Sequence, residues 1–342
     1  MNWPPPLFIV GAPRSGTTLL RNMLNRHPSL AICGETRFYH YLYARRRAFG
    51  DLGDLKNRRR LIEEYLSTER VQRLGMDLPG LGERLMREAI GYRELFTSVL
   101  EYYAESQGKP RYGEKTPHHA LFTETLCEWF PGANILHLVR DPRGVVASLQ
   151  RMVWAPNSIV ANTQMWLDCN LGAQRSSHRP EYLLIRYEKL VAEPEQELSR
   201  ICAFLGCEFA PQMLVPDAQS DANRRLRAHQ KDVNLERLGK WQEQLTADDV
   251  ALVEWAARSA MQDFGYESST TAPSQWRIAR ARGFAALDAV RKQLVEFPGI
   301  WYYLMQPARI ATEEYWKHRR DWEREGIPVS TRWRLTRDVN AQ

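Results

Sequence analysis

The 342 residues are 44% hydrophobic and 26% charged, which is typical of a globular protein and excludes a disordered or fibrous one. The net charge of +6 favours an anionic partner: a small molecule, a membrane surface or nucleic acid. Because no apolar run could span a bilayer, the first strand leaves no room for a signal peptide, and the five cysteines form no disulfide or zinc pattern, we expect a cytoplasmic protein.

The chain opens with an apolar strand, Leu7–Val10, which leads directly into a glycine-bounded loop and then into a helix. At such a junction the loop amides and the helix N-terminus bind anions. The spacing is that of the phosphate loop GxxxxGK[ST], but Thr17 occupies the lysine position and the cation is Arg14. The loop is either an anion site or a purely structural turn, and the positive charge of Arg14 favours an anion site. The residues expected to hold the anion are Arg14, Ser15, Gly16, Thr17 and Thr18.

Strands and helices alternate along the rest of the chain. Further strands are predicted at Leu30–Cys33, Arg111–Gly113, Asn134–Val139 and Tyr182–Arg186. Helices are predicted at Thr17–Asn25, Arg143–Arg151, Ser158–Ser176, Pro194–Leu205, Leu235–Gln244 and Asp248–Asp263, with a mostly helical insertion from Tyr39 to Gln107. This order predicts an α/β fold, a P-loop-like parallel sheet flanked by helices. We expect the site at the carboxyl ends of the strands, where the loops after Val10, Cys33 and Val139 converge.

A change of composition at Ser268–Ser274 predicts a domain of residues 1–267 followed by a helical C-terminal extension, 268–342. Apolar residues keep helical spacing from Phe284 to Phe297, and a charged helix is predicted from Ala308 to Glu325. Such a basic and aromatic extension can contact a membrane surface, or it can pack on the domain or on a second subunit of a homodimer. Packing on protein is the commoner outcome for a helical apolar stripe.

A second anion site is predicted after the strand Asn134–Val139. Arg140 leaves the end of that strand, and Ser148 lies two turns into the next helix. Arginine can clamp a phosphate with two parallel hydrogen bonds, and serine adds a hydroxyl. Asp141 is expected to be the N-cap and Pro142 the first helical residue. Alone, Arg140 would be read as an ordinary surface arginine, but its place beside the first loop favours a binding role.

Two anion sites at one sheet edge fit a nucleotide phosphorylated at both ends of its ribose, which points to 3′-phosphoadenosine 5′-phosphosulfate (PAPS). A sulfuryl group carries fewer formal charges than a γ-phosphoryl group, so oriented donors can stabilise its transfer without a metal clamp. We find no acidic arrangement typical of a magnesium site. With these features, residues 7–264 resemble the PAPS-dependent sulfotransferases, and several segments are most similar to the tyrosylprotein sulfotransferases.

The resemblance implies roles for individual residues. Ile32–Arg37 resembles the segment with the family's catalytic glutamate, here Glu35, and Lys115–Pro117 resembles the one whose lysine approaches the transferred sulfate. The segments Ile185–Leu190 and Val233–Trp241 resemble parts of the family near the nucleotide. The implied ligands are Arg14 to Thr18 for the 5′-phosphosulfate, Arg140 and Ser148 for the 3′-phosphate, and Tyr187 and Lys231 for the nucleotide.

An acceptor hydroxyl must lose its proton as it attacks sulfur, and we expect Glu35 to take it if partial burial raises its pKa. An ion pair with Arg37 or Arg14 is the alternative role for this carboxylate. The rival base is His118, one residue beyond the position where cytosolic small-molecule sulfotransferases place a histidine; His119 is expected to be an ordinary helix-start residue. Lys115 and Arg14 would neutralise charge on the leaving phosphate.

Two other function classes compete with a sulfotransferase. A nucleotide kinase or triphosphatase would need a lysine where Thr17 stands. A non-enzymatic basic protein is supported by the net charge, but we find no helix-turn-helix, zinc-finger or ribonucleoprotein pattern and expect no nucleic-acid partner. The acceptor is expected to carry a hydroxyl, and a protein tyrosine, a glycan, a lipid or a phenolic metabolite all remain compatible with the sequence.

Overall fold

In the computed structural model, the described residues are 3–152, 154–215, 238–269, 272–281 and 283–284. Five strands form one sheet in the order β2-β3-β1-β4-β5, and each pairing is parallel. The strands are β1 (Leu7–Gly11), β2 (Leu30–Cys33), β3 (Arg111–Lys115), β4 (Asn134–Val139) and β5 (Tyr182–Arg186). All five carboxyl ends therefore lie at one edge of the sheet, and the loop after the central strand β1 has a neighbour on each side. The predicted α/β fold is confirmed.

Thirteen α-helices lie in the described part of the chain up to residue 263. They are α1 (Thr17–Asn25), α2 (Arg46–Phe49), α3 (Leu55–Ser67), α4 (Glu69–Gln72), α5 (Leu78–Glu88), α6 (Tyr92–Ser106), α7 (Thr123–Trp129), α8 (Pro142–Gln150), α9 (Ile159–Gln174), α10 (Tyr187–Ala192), α11 (Pro194–Leu205), α12 (Trp241–Gln244) and α13 (Ala247–Asp263). A π-helical turn covers Phe38–Leu42, and 3₁₀ turns cover Tyr43–Arg45, Pro117–Phe122 and Pro211–Leu214. None of the helices in the described part of the chain is both long and apolar enough to cross a membrane.

The central strand β1 is buried on both faces, as its continuous apolar run predicts. Phe8 and Val10 join a large core that includes side chains of the helical insertion, α9 and α13. Leu7 and Ile9 join a second core with side chains of α1 and α11. Each fully buried aliphatic or aromatic side chain contributes about 1.5–3 kcal/mol of hydrophobic free energy. This packing on two sides fixes the strand, and with it the start of the glycine-bounded loop.

Most predicted element boundaries agree with the structure to within two residues. One difference matters for the site: β3 continues to Lys115, two residues beyond its predicted end, so Lys115 belongs to the sheet edge. Of the predicted helix Leu235–Gln244, residues 235–237 lie outside the described residues, and α12 begins only at Trp241.

The second residue of the predicted linker Ser268–Ser274 is hydrogen-bonded to the domain. Ser269 donates hydrogen bonds from its amide (3.0 Å) and its hydroxyl (2.8 Å) to Glu254, a buried residue of α13. Residues 275–281 are helical. The remainder of the predicted extension, including the helix predicted for 308–325, lies outside the described residues from 285 onward, so the domain boundary stays a prediction.

Candidate active site

The loop after β1 has a backbone that requires glycine at both ends. Gly11 has φ +148°, and a Cβ there would lie 2.2 Å from the backbone oxygen of Leu138 on β4. Gly16 has φ +95°, and a Cβ there would lie 2.4 Å from the Tyr187 ring. Between them Arg14 adopts φ 73°, a left-handed conformation that costs a non-glycine residue about 1–2 kcal/mol. Strain of this kind persists where the surrounding structure fixes the residue, and it is common at binding sites.

Four of the residues predicted to bind the nucleotide lie together around this loop. Arg14 donates from Nε to Ser148 Oγ at 2.9 Å, and Arg140 donates from Nη1 to the backbone oxygen of Arg14 at 3.2 Å. The Arg140 guanidinium carbon lies 4.5 Å from the centroid of the Tyr187 ring, a cation–π contact. Burial, followed by the positive charges of Arg140 and Arg151, lowers the pKa of Arg14. The arrangement therefore gathers positive charge that an anion would stabilise.

A chain of hydrogen bonds fixes the Arg140 and Tyr187 segments relative to each other. As predicted, Asp141 is the N-cap of α8 and accepts from the Arg143 amide at 2.8 Å. The Asp141 amide donates to Glu188 Oε1 at 3.0 Å, and the Tyr266 hydroxyl donates to Glu188 Oε2 at 2.8 Å. Because Glu188 follows Tyr187 directly, this chain sets the position of the ring beneath Arg140.

The predicted catalytic pair lies on the other side of the loop. Lys115 Nζ is 2.7 Å from Glu35 Oε1 and donates to Thr18 Oγ1 at 3.2 Å. Arg70, from α4 in the helical insertion, places Nη1 3.5 Å from Glu35 Oε2. The Lys115 side chain is only 4% exposed, whereas that of Glu35 is 28% exposed. The end of β3 thus joins the three loops predicted to converge, and Lys115 links the β2 loop to the start of α1.

The expectation that burial raises the pKa of Glu35 is wrong. Burial by itself does favour the protonated form, but the charge and hydrogen bond of Lys115, with the charges of Arg70 and Arg37, outweigh it. Together they hold the pKa of Glu35 at about 2. Glu35 is therefore ionised at neutral pH, and its ion pairs are with Lys115 and Arg70.

The two histidines after Lys115 occupy different environments. His118 is partly exposed in the 3₁₀ turn Pro117–Phe122. His119 is fully buried, with Nδ1 3.0 Å from Glu114 Oε2, so it is not the ordinary helix-start residue that we expected. Lys231 lies outside the described residues.

Sequence reasoning missed Glu114 and Arg70. An acidic residue directly between a predicted strand, Arg111–Gly113, and the predicted site residue Lys115 is a signal that could have pointed to Glu114. Arg70 offers no such signal, because the helical insertion contains many arginines and only the fold shows which one reaches Glu35. Within the described ranges, no group of three or more His, Cys, Asp or Glu side chains is arranged to hold a metal ion.

A parallel sheet with a glycine-bounded loop between its central strand and the next helix defines a P-loop-like fold. Residues 5–211, more than half of the chain, match the Sulfotransferase family, and the chain belongs to that family. The reaction class is therefore sulfuryl transfer, which excludes the kinase and the non-enzymatic alternatives.

Individual relatives agree with this assignment. Protein-tyrosine sulfotransferase 2 of Gallus gallus is 28% identical over 258 residues, which cover 69% of this chain and 63% of that protein. Nodulation protein NoeE of Sinorhizobium fredii is 26% identical over 296 residues, covering 77% of this chain and 66% of that protein. The matches thus span slightly less than two thirds of either relative. The resemblance to sulfotransferases, tyrosylprotein sulfotransferases among them, is confirmed.

One solved structure supports the fold independently. The sulfotransferase domain from the curacin biosynthetic pathway superimposes with a TM-score of 0.56 at 22% sequence identity. The match covers 79% of this chain and 100% of that domain. At this identity the likeness concerns the fold alone.

Proposed function

We propose that this protein transfers the sulfuryl group of PAPS to an acceptor hydroxyl. The observation that carries the proposal is the joined cluster of Arg14, Arg140 and Ser148 at the carboxyl ends of β1 and β4. A second observation supports an anionic ligand in the loop after β1. Ser15 Oγ is fully buried and has no hydrogen-bond partner among the described residues, although buried polar groups are nearly always paired. An anion in the loop would supply that partner.

The residues divide between the two ends of the nucleotide. The loop from Arg14 to Thr18, with its amides and the N-terminus of α1, would hold the 5′-phosphosulfate. Arg140 and Ser148 would hold the 3′-phosphate, and Tyr187 would contact the nucleotide. Lys231, outside the described residues, remains a predicted ligand.

The reaction requires a base for the acceptor and positive charge for the leaving group. When bound, PAPS supplies a sulfuryl group attached to a phosphate that is a good leaving group. The acceptor oxygen forms a bond to sulfur while the bond between sulfur and the phosphate oxygen breaks, giving a sulfate ester and adenosine 3′,5′-bisphosphate (PAP). Glu35 accepts the hydroxyl proton. Lys115 and Arg14 stabilise the negative charge on the phosphate oxygen.

The strength of the base depends on Lys115. A carboxylate with a pKa of about 2 is a weak proton acceptor at neutral pH. Lys115 contacts both Glu35 and the Thr18 hydroxyl at the loop, so an anion held by the loop competes with Glu35 for the ammonium group. As Lys115 turns toward that anion, the pKa of Glu35 rises and Glu35 becomes a better base.

A tyrosyl hydroxyl is the acceptor to test first, because the Gallus gallus relative is named for that substrate. Acceptor contacts are expected from the insertion, residues 39–107, and from residues 154–163 after α8. A third predicted contact region, residues 218–227, lies outside the described residues. Glycan, lipid and phenolic acceptors serve as the comparison set.

Two measurements test the proposal. In a thermal-shift comparison, PAP should raise the melting temperature clearly more than Mg-ATP does. In an assay with ³⁵S-labelled PAPS and a tyrosine peptide or a native lysate, the Glu35→Gln variant should turn over about 100-fold more slowly than wild type, the usual scale for losing a general base. Glu124→Gln, which removes only an exposed ion pair with Arg175, is the matched control and should retain full turnover. Greater stabilisation by Mg-ATP would contradict the assignment.

A further inference from the structure

A buried carboxylate lies directly beside the proposed catalytic pair. Glu114, on β3, is fully inaccessible to solvent. Its Oε1 accepts from the Thr36 amide at 3.1 Å, from the Thr36 hydroxyl at 3.0 Å and from the Thr116 hydroxyl. Its Oε2 lies 3.0 Å from Nδ1 of His119. A buried carboxylate is costly unless such partners surround it, so three hydrogen bonds to Oε1 and an imidazole nitrogen close to Oε2 make Glu114 a fixed point of the structure.

These contacts continue the sheet past its last paired residues. The β2–β3 ladder ends where Cys33 pairs with Glu114. Beyond that point β2 leads into the loop with Glu35, and β3 ends at Lys115. The two hydrogen bonds from Thr36, the residue after Glu35, to Glu114, the residue before Lys115, connect the two segments there.

The loop held in this way has a strained backbone. Arg37 adopts φ 52°, a left-handed conformation that non-glycine residues rarely adopt. Its amide donates to the Thr116 hydroxyl at 3.4 Å, and the same hydroxyl donates to Glu114. A conformation of this kind persists only when neighbouring contacts determine it. The Glu114 network supplies such contacts at Thr36 and Arg37, the two residues that follow Glu35.

His119 is the last member of this network and lies between Glu114 and Tyr39. Its Nε2 lies 3.5 Å from the Tyr39 amide nitrogen, whose hydrogen points to it, and its ring packs edge-on against the Tyr39 ring with 5.0 Å between centroids. Since Nε2 accepts from an amide, we assign the ring proton to Nδ1, which faces Glu114. That nitrogen is the group closest to Glu114 Oε2, at 3.0 Å, and it places His119 against the side of the carboxylate away from Thr36 Oγ1.

We propose that Glu114 is a positioning residue that sets the separation of Glu35 and Lys115. The inference rests on the proposed function, because it concerns the base and the cation of that reaction. A misplacement of about 1 Å in a catalytic constellation can reduce the rate by about 100-fold. The nucleotide phosphates are assigned to Arg14 and Arg140, which belong to other loops, so affinity for PAP should not fall with the rate.

The experiment compares four substitutions in the full chain. Glu114→Leu fills the same volume without an acceptor and should reduce kcat by about 100-fold. Glu114→Gln keeps a carbonyl that can accept from Thr36, so it should lose about tenfold. Thr36→Val removes one donor and should also lose about tenfold. Glu197→Gln is the matched control, because Glu197 is a buried carboxylate on α11 paired with Arg200; it should retain kcat.

Three readouts separate positioning from a general loss of structure. The Kd for PAP, measured by calorimetry, should rise no more than about threefold above wild type in every variant while kcat falls. Thr36→Val should have little additional effect in the Glu114→Leu background, because both changes break the same link. Melting temperatures identify any variant that does not fold, and Glu114→Gln and Thr36→Val, which preserve volume, decide the question if Glu114→Leu does not.

The outcomes also separate this inference from the proposed function. A wild-type protein that transfers no label from PAPS to any acceptor defeats the proposed function, and the positioning role with it. An active wild type whose Glu114→Gln and Thr36→Val variants turn over normally overturns the positioning role alone. So would Glu114→Leu matching Glu114→Gln in kcat, or a loss of PAP affinity in proportion to the loss of rate.

Discussion

Removing the carboxylate of Glu35 should tighten the binding of PAP. Glu35 and the loop compete for one buried ammonium group, that of Lys115. The pKa of Glu35 falls from its ordinary value of 4.5 to about 2, a difference of about 2.5 pH units. At about 1.4 kcal/mol per unit, the charge interactions of Glu35 exceed the cost of its burial by about 3.5 kcal/mol.

Only part of that free energy belongs to the competition. Arg70 and Arg37 share it with Lys115, and solvent reaches a side chain that is 28% exposed. We assign about 1.4 kcal/mol to Lys115, which corresponds to a factor of about ten in an equilibrium constant. Glu35→Gln should therefore bind PAP about tenfold more tightly than wild type while its turnover falls.

Isothermal titration calorimetry with PAP at pH 7 measures the effect directly. Two variants serve as controls. Arg70→Met removes the other ion-pair partner of Glu35 and leaves the Lys115–Glu35 pair in place, so it should not tighten binding. In a Lys115→Met background, Glu35→Gln should leave the Kd unchanged, because the contested ammonium group is gone.

If Glu35→Gln binds PAP with wild-type affinity or more weakly, Lys115 does not pass from Glu35 to the nucleotide. The same conclusion follows if tightening persists in the Lys115→Met background. In either case another explanation would be needed for how a carboxylate with so low a pKa acts as a base.

Two further predictions concern Arg140 and Cys207. Arg140→Ala should weaken binding of PAP by at least tenfold and change binding of adenosine 5′-monophosphate little, because charge-assisted bonds to the 3′-phosphate are lost; equal losses in calorimetry would refute the 3′ assignment. The neighbouring Cys202 thiol, with His27 and Arg111, lowers the pKa of Cys207 to about 6. Iodoacetamide at pH 7 should thus label the partly exposed Cys207 before the four buried cysteines, at a rate that falls several-fold by pH 5; peptide mapping that finds another cysteine labelled first would contradict this.

Local sequence was sufficient to predict the glycine-bounded loop after β1. An apolar run predicts a strand buried on both faces, and two glycines followed by threonines predict a tight turn into a helix. The structure adds that the glycines are required, because Leu138 and Tyr187 occupy the space where a Cβ would lie. It also joins the two predicted anion sites through the hydrogen bond from Arg14 to Ser148.

The chemistry of Glu35 could not be predicted from its neighbours in sequence. Its closest cation in sequence is Arg37, yet its ion pairs come from Lys115 on β3 and Arg70 on α4. Those residues meet it because β3 inserts between β1 and β2 and the insertion folds back over the strand ends. These distances set the pKa of Glu35, so an argument from burial alone predicted the wrong direction for its shift.

The sequence by itself determined the fold class, the glycine-bounded loop and the family, because each is specified by local patterns: apolar periodicity, glycine positions and the residues that follow the strands. Only the tertiary structure decided which charges meet. Electrostatic and hydrogen-bond energies depend on separations of a few ångströms, and those separations arise between residues as far apart in the chain as Glu35 and Lys115, or Arg14 and Ser148.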